Sequence, residues 1–191
     1  MFFVDYQETK YNIGLMKETI KSLLSRRSIR KFKSDSVSKE LIAQVAEAGI
    51  YAASGMGKQA ATVVAITNKG LRDRISEMNR KIGGWNEGFD PFYGAPVILL
   101  VLAKKEIPTY LYDGALTMGN LMNAAYSLGL GSIWIHRAKE EVESDEGKEI
   151  LKSLGLNADE WVGIAHCALG YADCEQPAAH PRKEGRIVWA E

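Results

Sequence analysis

The chain has little of several things that usually identify a protein. Its 191 residues contain two cysteines, Cys167 and Cys174. That is too few for a disulfide framework, and their spacing fits no metal pattern, so a reducing compartment is expected. The three histidines, His136, His166 and His180, lie far apart. They form neither an HExxH pair nor part of a four-ligand structural zinc set, and no metal is expected. Net charge is also missing, because 24 Lys and Arg balance 24 Asp and Glu. General binding to nucleic acid or to an anionic membrane needs a basic surplus, so neither is expected. The longest apolar run, "APVILLVLA" at 95–103, is roughly half a bilayer span. The opening "MFFVDYQETK" carries acids and no long apolar stretch, so it reads as no signal peptide, and the cytoplasm is the expected location.

Common catalytic signatures are missing too. There is no G-x-S-x-G elbow, so Ser54 is no obvious nucleophile. "GMGK" is too short before its lysine for a P-loop. "GLGSIW" at 129–134 supplies two of the three dinucleotide-fingerprint glycines, in the order helix then strand rather than strand then helix. With no repeat, linker or low-complexity segment, one domain over 1–191 is the simplest reading.

What is present is a mixture of helical and strand periodicities without a clean βαβ repeat, which predicts an α+β domain. "IGLMKETIKSLL" (13–24) places Ile13, Met16, Ile20, Leu23 and Leu24 on one helical face. "SVSKELIAQVAEAGIYAAS" predicts a second helix, with Ser38 as N-cap and Val37 and Ile42 spaced as a hydrophobic staple. "ATVVAIT" (61–67) predicts a strand, and "LRDRISEMNRKI" a helix leading into an aromatic loop, 83–94, with Trp85, Phe89, Phe92 and Tyr93. "APVILLVLA" lacks polar alternation and predicts a strand covered on both faces. The helix in "YDGALTMGNLMNAAYSLGLG" is small or apolar nearly all round, which predicts burial on every side, in part against another subunit. "SIWIH" (132–136) and "WVGIAHCALGY" predict strands, and "EVESDEGKEILKSLG" an exposed helix.

Three stretches could carry chemistry. "SRRSIRKF" (25–32) crowds Arg26, Arg27 and Arg30 around Ser28. Guanidinium forks and a hydroxyl suit phosphate oxygens. In an extended segment Arg26, Ser28 and Arg30 would share a side, and the basic "PRKEGR" (Arg182, Lys183, Arg186) could converge with them. The same cations could simply decorate a helix C-terminus. "AASGMGKQ" (52–59) puts Ser54, Lys58 and Gln59 on a glycine loop, able to approach a planar ligand or merely to end a helix. "GSIWIHR" (131–137) could offer backbone N–H groups and an indole face to a ring, or supply core residues.

Taken in order, these segments resemble the FMN-dependent nitroreductase family. "RRSIRKF" resembles its N-terminal R-[RH]-S-x-[RK]-x-[FY] motif, and "AASGMGKQ" its P-S-x-x-N-x-Q loop. "YGAPVILLVLA", "DGALTMGNLMNAAYSLGLGSIWIHRA" and "ALGYADCEQPAAHPRK" follow in the expected order, so the likeness covers about 19–189. It implies a nitroreductase-like α+β fold, with a central, mostly antiparallel sheet flanked by helices, and an interlocked homodimer with two FMN sites at its interface. It further implies an enzyme reducing small planar electrophiles, nitroaromatic- or quinone-like, by ping-pong hydride transfer from NADH or NADPH. The chemistry would belong to the flavin, with no catalytic side chain. The other readings are a flavin-binding redox sensor without steady turnover, a dehalogenase and a flavin-fragmenting enzyme.

By match to the motifs, Arg26, Arg27, Ser28 and Arg30 would bind FMN, with Arg26 on the phosphate and Arg30 toward the flavin N1/O2 edge. Arg182 and Lys183 match the tail's phosphate-binding pair. Ala53, Ser54, Gly55, Lys58 and Gln59 match the loop supplied by the partner subunit. Trp134, Ile135, His136 and Arg137 fall where the family makes backbone contacts near flavin N5. The loop departs from the pattern: the family's Pro is Ala53, its Asn is Gly57, and Ala60-Ala61 replaces a frequent Pro-Trp. These changes thin one wall of the site, and loop 83–94 is the expected substrate cover.

Overall fold

The computed structural model describes residues 17–190. In chain order the elements are α1 (Glu18–Ser25), α2 (Lys39–Ile50), β1 (Ala61–Ile66), α3 (Lys69–Gly83), β2 (Val97–Lys104) and α4 (Tyr110–Ser127). They continue with β3 (Gly131–Ile135), α5 (Ala138–Glu143), α6 (Asp145–Ser153) and β4 (Trp161–Gly170). The strands form one four-stranded sheet in the order β1-β2-β4-β3, and every neighbouring pair is antiparallel. No helix among the described residues is long and apolar enough to cross a membrane.

β2 is buried from Val97 to Ala103, and its alternate side chains serve two cores. Ile98, Leu100 and Leu102 pack with Ile75 and Met78 of α3, Val142 of α5 and Leu151 of α6. Val97, Leu99, Val101 and Ala103 pack with Ile42 and Val45 of α2 and Met118, Leu121 and Ala125 of α4. The sheet therefore lies between two helical layers, as its unbroken apolar strand predicts. α2 begins as its sequence indicates: the Leu41 N–H donates to Ser38 Oγ at 3.3 Å, and Val37 and Ile42 are both buried.

Two expectations are corrected. The stretch 141–155 is not one exposed helix. Ser144 ends α5 and caps α6, with the Gly147 N–H donating to its Oγ at 3.0 Å. Glu141, Val142, Ile150 and Leu151 are all buried. In the single chain α4 buries Gly114, Thr117, Met118 and Leu121, while Leu111, Tyr112 and Leu116 are exposed and form the face expected against another subunit. α1 begins at Glu18, and its Ile20, Leu23 and Leu24 are exposed, while Ile13 and Met16 lie outside the described residues.

β4 and α5 approach so closely at Gly163 that a Cβ there would lie 2.0 Å from the Ala138 carbonyl oxygen. Backbone cannot rotate away as a side chain can. Gly163→Ala should therefore destabilise the protein by about 1–3 kcal/mol, seen as a lowered Tm in thermal denaturation. An unchanged Tm would mean that α5 does not dock on β4 in this way.

Candidate functional site

After α1 the chain runs extended beside β3 and the end of β4. Ser28 bridges Ser132 in parallel, and Phe32 bridges Ala172 antiparallel. The Ile29 N–H donates to Ser132 O at 3.1 Å, and the Lys33 N–H to Tyr171 O at 2.9 Å. Ile29 and Phe32 are buried as apolar anchors. Backbone pairing on one side and two core side chains thus fix the arginine-bearing segment, so its cations do not depend on a flexible tether.

Arg26 and Arg27 line one cleft of about 170 Å³ with Tyr126, Gly129, Ser132 and Gln176. Arg27 Nη1 donates to Leu24 O at 2.8 Å and to Arg26 O at 2.7 Å. Three groups in this cleft are buried and have no hydrogen-bond partner: Arg26 Nη1, Arg27 Nε and Ser132 Oγ. Burial, and then the charge of Arg27, hold the Arg26 guanidinium below its ordinary range. Two desolvated like charges are costly alone and become favourable when an anion joins them. A phosphate, with several acceptor oxygens, fits these unpartnered donors. Cys167 lies close by, but burial pushes its thiol up to about 12 despite the opposing charge of Arg26. It is a neutral thiol near pH 7 and not a nucleophile.

The expected alternation does not hold. Arg26 is the C-cap of α1, and at this turn it shares the cleft with Arg27. Ser28 is half-buried and Arg30 exposed, and neither lines the cleft. Arg182 and Lys183 do not converge on it within the chain; both are exposed, and Arg182 Nη1 reaches only His180 O at 3.5 Å. The tail residue that does reach this region is Gln176, whose Nε2 donates to Ser25 O at 2.6 Å.

The loop 53–59 is held at the other end of α4. Asp113, buried in the first turn of α4, accepts the Gly55 N–H through Oδ1 and the Thr109 hydroxyl through Oδ2, both at 3.0 Å. The Gln59 N–H donates to Ser54 Oγ at 3.0 Å. Met56, Gly57 and Gln59 have positive φ, at 53°, 66° and 49°. Ser54 and Gly55 are half-buried, while Ala53, Lys58 and Gln59 are exposed. Thirteen helical positions separate Asp113 from Tyr126 of the arginine cleft, a distance of about 20 Å.

The end of β3 adds a third group. Trp134 is half-buried, and its indole N–H donates to His136 Nδ1 at 3.3 Å. Ile135 is buried and His136 exposed. Arg137 has φ 78°, and its guanidinium lies 4.3 Å from the Trp85 ring centroid. From Ser132 to His136 the strand advances about 13 Å, so the anion cleft and this segment lie along one line. Loop 83–94 thus borders the β3 end, and Asp90 pins it down. The Asp90 carboxylate accepts from Ser76 Oγ at 2.7 Å, from the Phe92 N–H at 2.9 Å and from the Gly94 N–H at 2.7 Å, and it pairs with Arg72.

Ser132, Tyr126, Asp113 and Gln176 were not singled out from the sequence. Only Asp113 leaves a signal there, as an acid in an otherwise apolar helix.

An α+β sheet between two helical layers, edged by an extended arginine-bearing segment, matches a known class. The chain belongs to the nitroreductase family, whose model matches residues 23–171. Among solved structures, a nitroreductase with bound FMN from Desulfitobacterium hafniense DCB-2 is 28% identical with a TM-score of 0.82, covering 93% of this chain and 100% of that one. A nitroreductase with bound FMN from Bacteroides fragilis NCTC 9343 is 26% identical with a TM-score of 0.80, covering 92% and 100%. The FMN reductase (NAD(P)H) of Bacillus subtilis (strain 168) is 32% identical over 140 residues, which is 62% of this chain and 53% of that protein. The chain thus matches about half the length of that curated relative.

The clamp on loop 83–94 has a pH signature. Burial alone would raise the Asp90 carboxyl, but hydrogen bonds from Arg72, Ser76 and the Phe92 N–H outweigh it and hold the group below its ordinary value. Its stabilisation is therefore present above the unfolded pKa of about 4 and is lost as pH falls through the lower folded value. Asp90→Asn should cost about 2–3 kcal/mol at neutral pH and flatten the fall in Tm below about pH 4. Thermal melts across pH check both; a variant melting like the parent at every pH would release Asp90 from this role.

Proposed function

We propose that this protein is an FMN-dependent NAD(P)H oxidoreductase that reduces small planar electrophiles, nitroaromatic- or quinone-like, and works as a homodimer. The observation that carries the reading is the cleft in which Arg26 Nη1, Arg27 Nε and Ser132 Oγ are buried without partners. Such a donor set suits a phosphate monoester. Family membership and the likeness to FMN-bound structures make FMN its best-supported owner. When bound, FMN supplies hydride chemistry, taking electrons from NADH or NADPH and passing them to the acceptor in alternate turns.

The chain's own part is to bind and orient. Arg26 and Arg27 would hold the phosphate beside Ser132, with Ser28 continuing the same segment. The Trp134–Arg137 segment, further along β3, would offer its backbone to the flavin ring. Arg30 would supply a cation near the ring, where positive charge stabilises the charge gained on reduction. Arg182 and Lys183 would add to the phosphate contacts from the tail.

A second copy is needed because one chain cannot close the site. The loop bearing Ala53, Ser54, Gly55, Lys58 and Gln59 is tied to the N-terminal end of α4, and the arginine cleft adjoins its C-terminal end. Two copies with antiparallel α4 helices would bring each loop to the other's cleft and cover Leu111, Tyr112 and Leu116, which are 54%, 70% and 51% exposed. A contiguous apolar face of this kind marks an interaction surface.

Purified protein should show a flavin absorption band, with FMN released on heating, and should run as a dimer in light scattering. Arg26→Ala should lose most of its FMN, since a charge-assisted hydrogen bond is worth about 1.5–3 kcal/mol. Arg30→Ala should keep the fold but move the midpoint potential about 30 mV or more in the negative direction. A protein that stays colourless with added FMN would sink the reading, and a monomer that binds FMN fully would sink the shared site.

A further inference from the structure

A buried polar chain runs behind the end of β3. His166 of β4 is 1% exposed and its Nε2 lies 2.6 Å from Glu141 Oε2. Glu141, in the first turn of α5 and 3% exposed, accepts through its other oxygen from Asn79 Nδ2. Asn79 of α3 is fully buried, and the same Nδ2 donates to the His136 carbonyl oxygen at 2.8 Å. One side chain, itself held by groups from two other elements, thus holds this backbone carbonyl. Burying a carboxylate, an imidazole and an amide is expensive even when they partly satisfy one another; here Asn79 Oδ1 and His166 Nδ1 keep no partner, and an apolar core would have closed this space more simply.

The carbonyl they hold belongs to the peptide joining His136 to Arg137. In a trans peptide the C=O and the next N–H lie in one plane and point in opposite directions. Drawing the His136 oxygen inward to Asn79 therefore aims the Arg137 N–H outward from the core. Arg137 itself has φ 78°, a left-handed conformation that a non-glycine residue keeps only where its surroundings impose it. Two further contacts impose it here: the Glu141 N–H donates to Arg137 O at 3.0 Å, and the Arg137 guanidinium stacks on Trp85.

We infer that Asn79 is a positioning residue: held by Glu141 and His166, it fixes the His136–Arg137 peptide so that the Arg137 N–H is presented to the flavin ring. The inference rests on the proposed FMN site and adds the residue that orients its backbone donor. Asn79 touches no substrate. It acts through one peptide plane, and Glu141 and His166 act through Asn79.

The test uses the full chain reconstituted with FMN. Asn79→Leu keeps the volume and removes the donor; it should weaken FMN binding about tenfold, read by quenching of free FMN fluorescence, and shift the midpoint potential to more negative values. A purely packing role for Asn79 would lower the Tm of the apoprotein and leave the potential unmoved. Asn79→Leu with unchanged affinity and potential overturns the inference while leaving the FMN reading intact. Should that variant fail to fold, amide exchange on the unmutated protein decides. On adding FMN the Arg137 N–H should become at least tenfold more protected, and an unchanged Arg137 N–H in a protein that binds FMN overturns the inference. A parent protein that binds no FMN removes the reading and, with it, the inference.

Discussion

β2 and β4 have no polar face. Antiparallel sheets commonly leave one side to water, but here Leu99, Val101, Ala165 and Cys167 fill one side while Ile98, Leu100 and Ala168 fill the other. A sheet of this kind stays in solution only when helices cover both sides, and α2 with α4 and α3 with α5 and α6 do so. Apart from the buried chain of His166, Glu141 and Asn79, polar groups are thereby displaced to the sheet's edges and strand ends. β3 is an edge strand, which would otherwise expose a row of unpaired backbone groups. The segment 28–32 pairs with β3 at Ser28 and with the chain beyond β4 at Phe32. The pairing that blunts this edge also holds the arginines in place.

Those arginines are electrostatically unfinished. Arg26 and Arg27 stand side by side in a half-buried cleft, with buried N–H groups and the Ser132 hydroxyl lacking partners. The fold tolerates this because the segment is anchored by Ile29 and Phe32, whose burial is worth several kcal/mol together at about 1.5–3 kcal/mol each. Stability from apolar anchors thus supports a local arrangement of like charges whose buried donors lack partners. Sites for charged ligands are commonly built this way, with the cost of gathering like charges met during folding rather than at binding.

Much of this was legible in the sequence where a local pattern carries the information. The apolar run of β2, the Ser38 cap with its staple, and the amphipathic α3 all form as their spacing indicates. The clustered arginines and the glycine loop were visible as composition. What stayed hidden depends on partners distant in the chain. Glu141 sits among charges and looks exposed, but it is buried because Asn79 and His166, 62 and 25 positions away, satisfy it. Asp113 reaches Gly55 across 58 positions. The alternation of Arg26, Ser28 and Arg30 does not carry into the cleft, because the chain leaves α1 at Arg26, its C-cap, and Arg26 and Arg27 line the cleft together. The small residues of α4 predicted burial all round, in part against another subunit, but which face the single chain leaves open is found only by seeing which side meets the rest of the fold.

α4 ties these pieces together. Its first turn holds loop 53–59 through Asp113, and the chain just after its last turn, at Gly129, helps line the arginine cleft. The loop carries little bulk, with Ala53, Gly55, Gly57 and Ala60 along it. It is shaped instead by left-handed backbone at Met56, Gly57 and Gln59, kept in place from below by Asp113. Its position is therefore only as well defined as its seat on α4. If two copies meet along the exposed face of that helix, both halves of each site are referred to one interface. A ligand spanning the two chains would then bind the dimer and not the separated chains, and would stabilise assembly by RT ln(1 + [L]/Kd) for each site. Cofactor retention and dimerisation become one equilibrium, and a substitution at Asp113 or Leu116 would disturb FMN binding from outside the phosphate cleft.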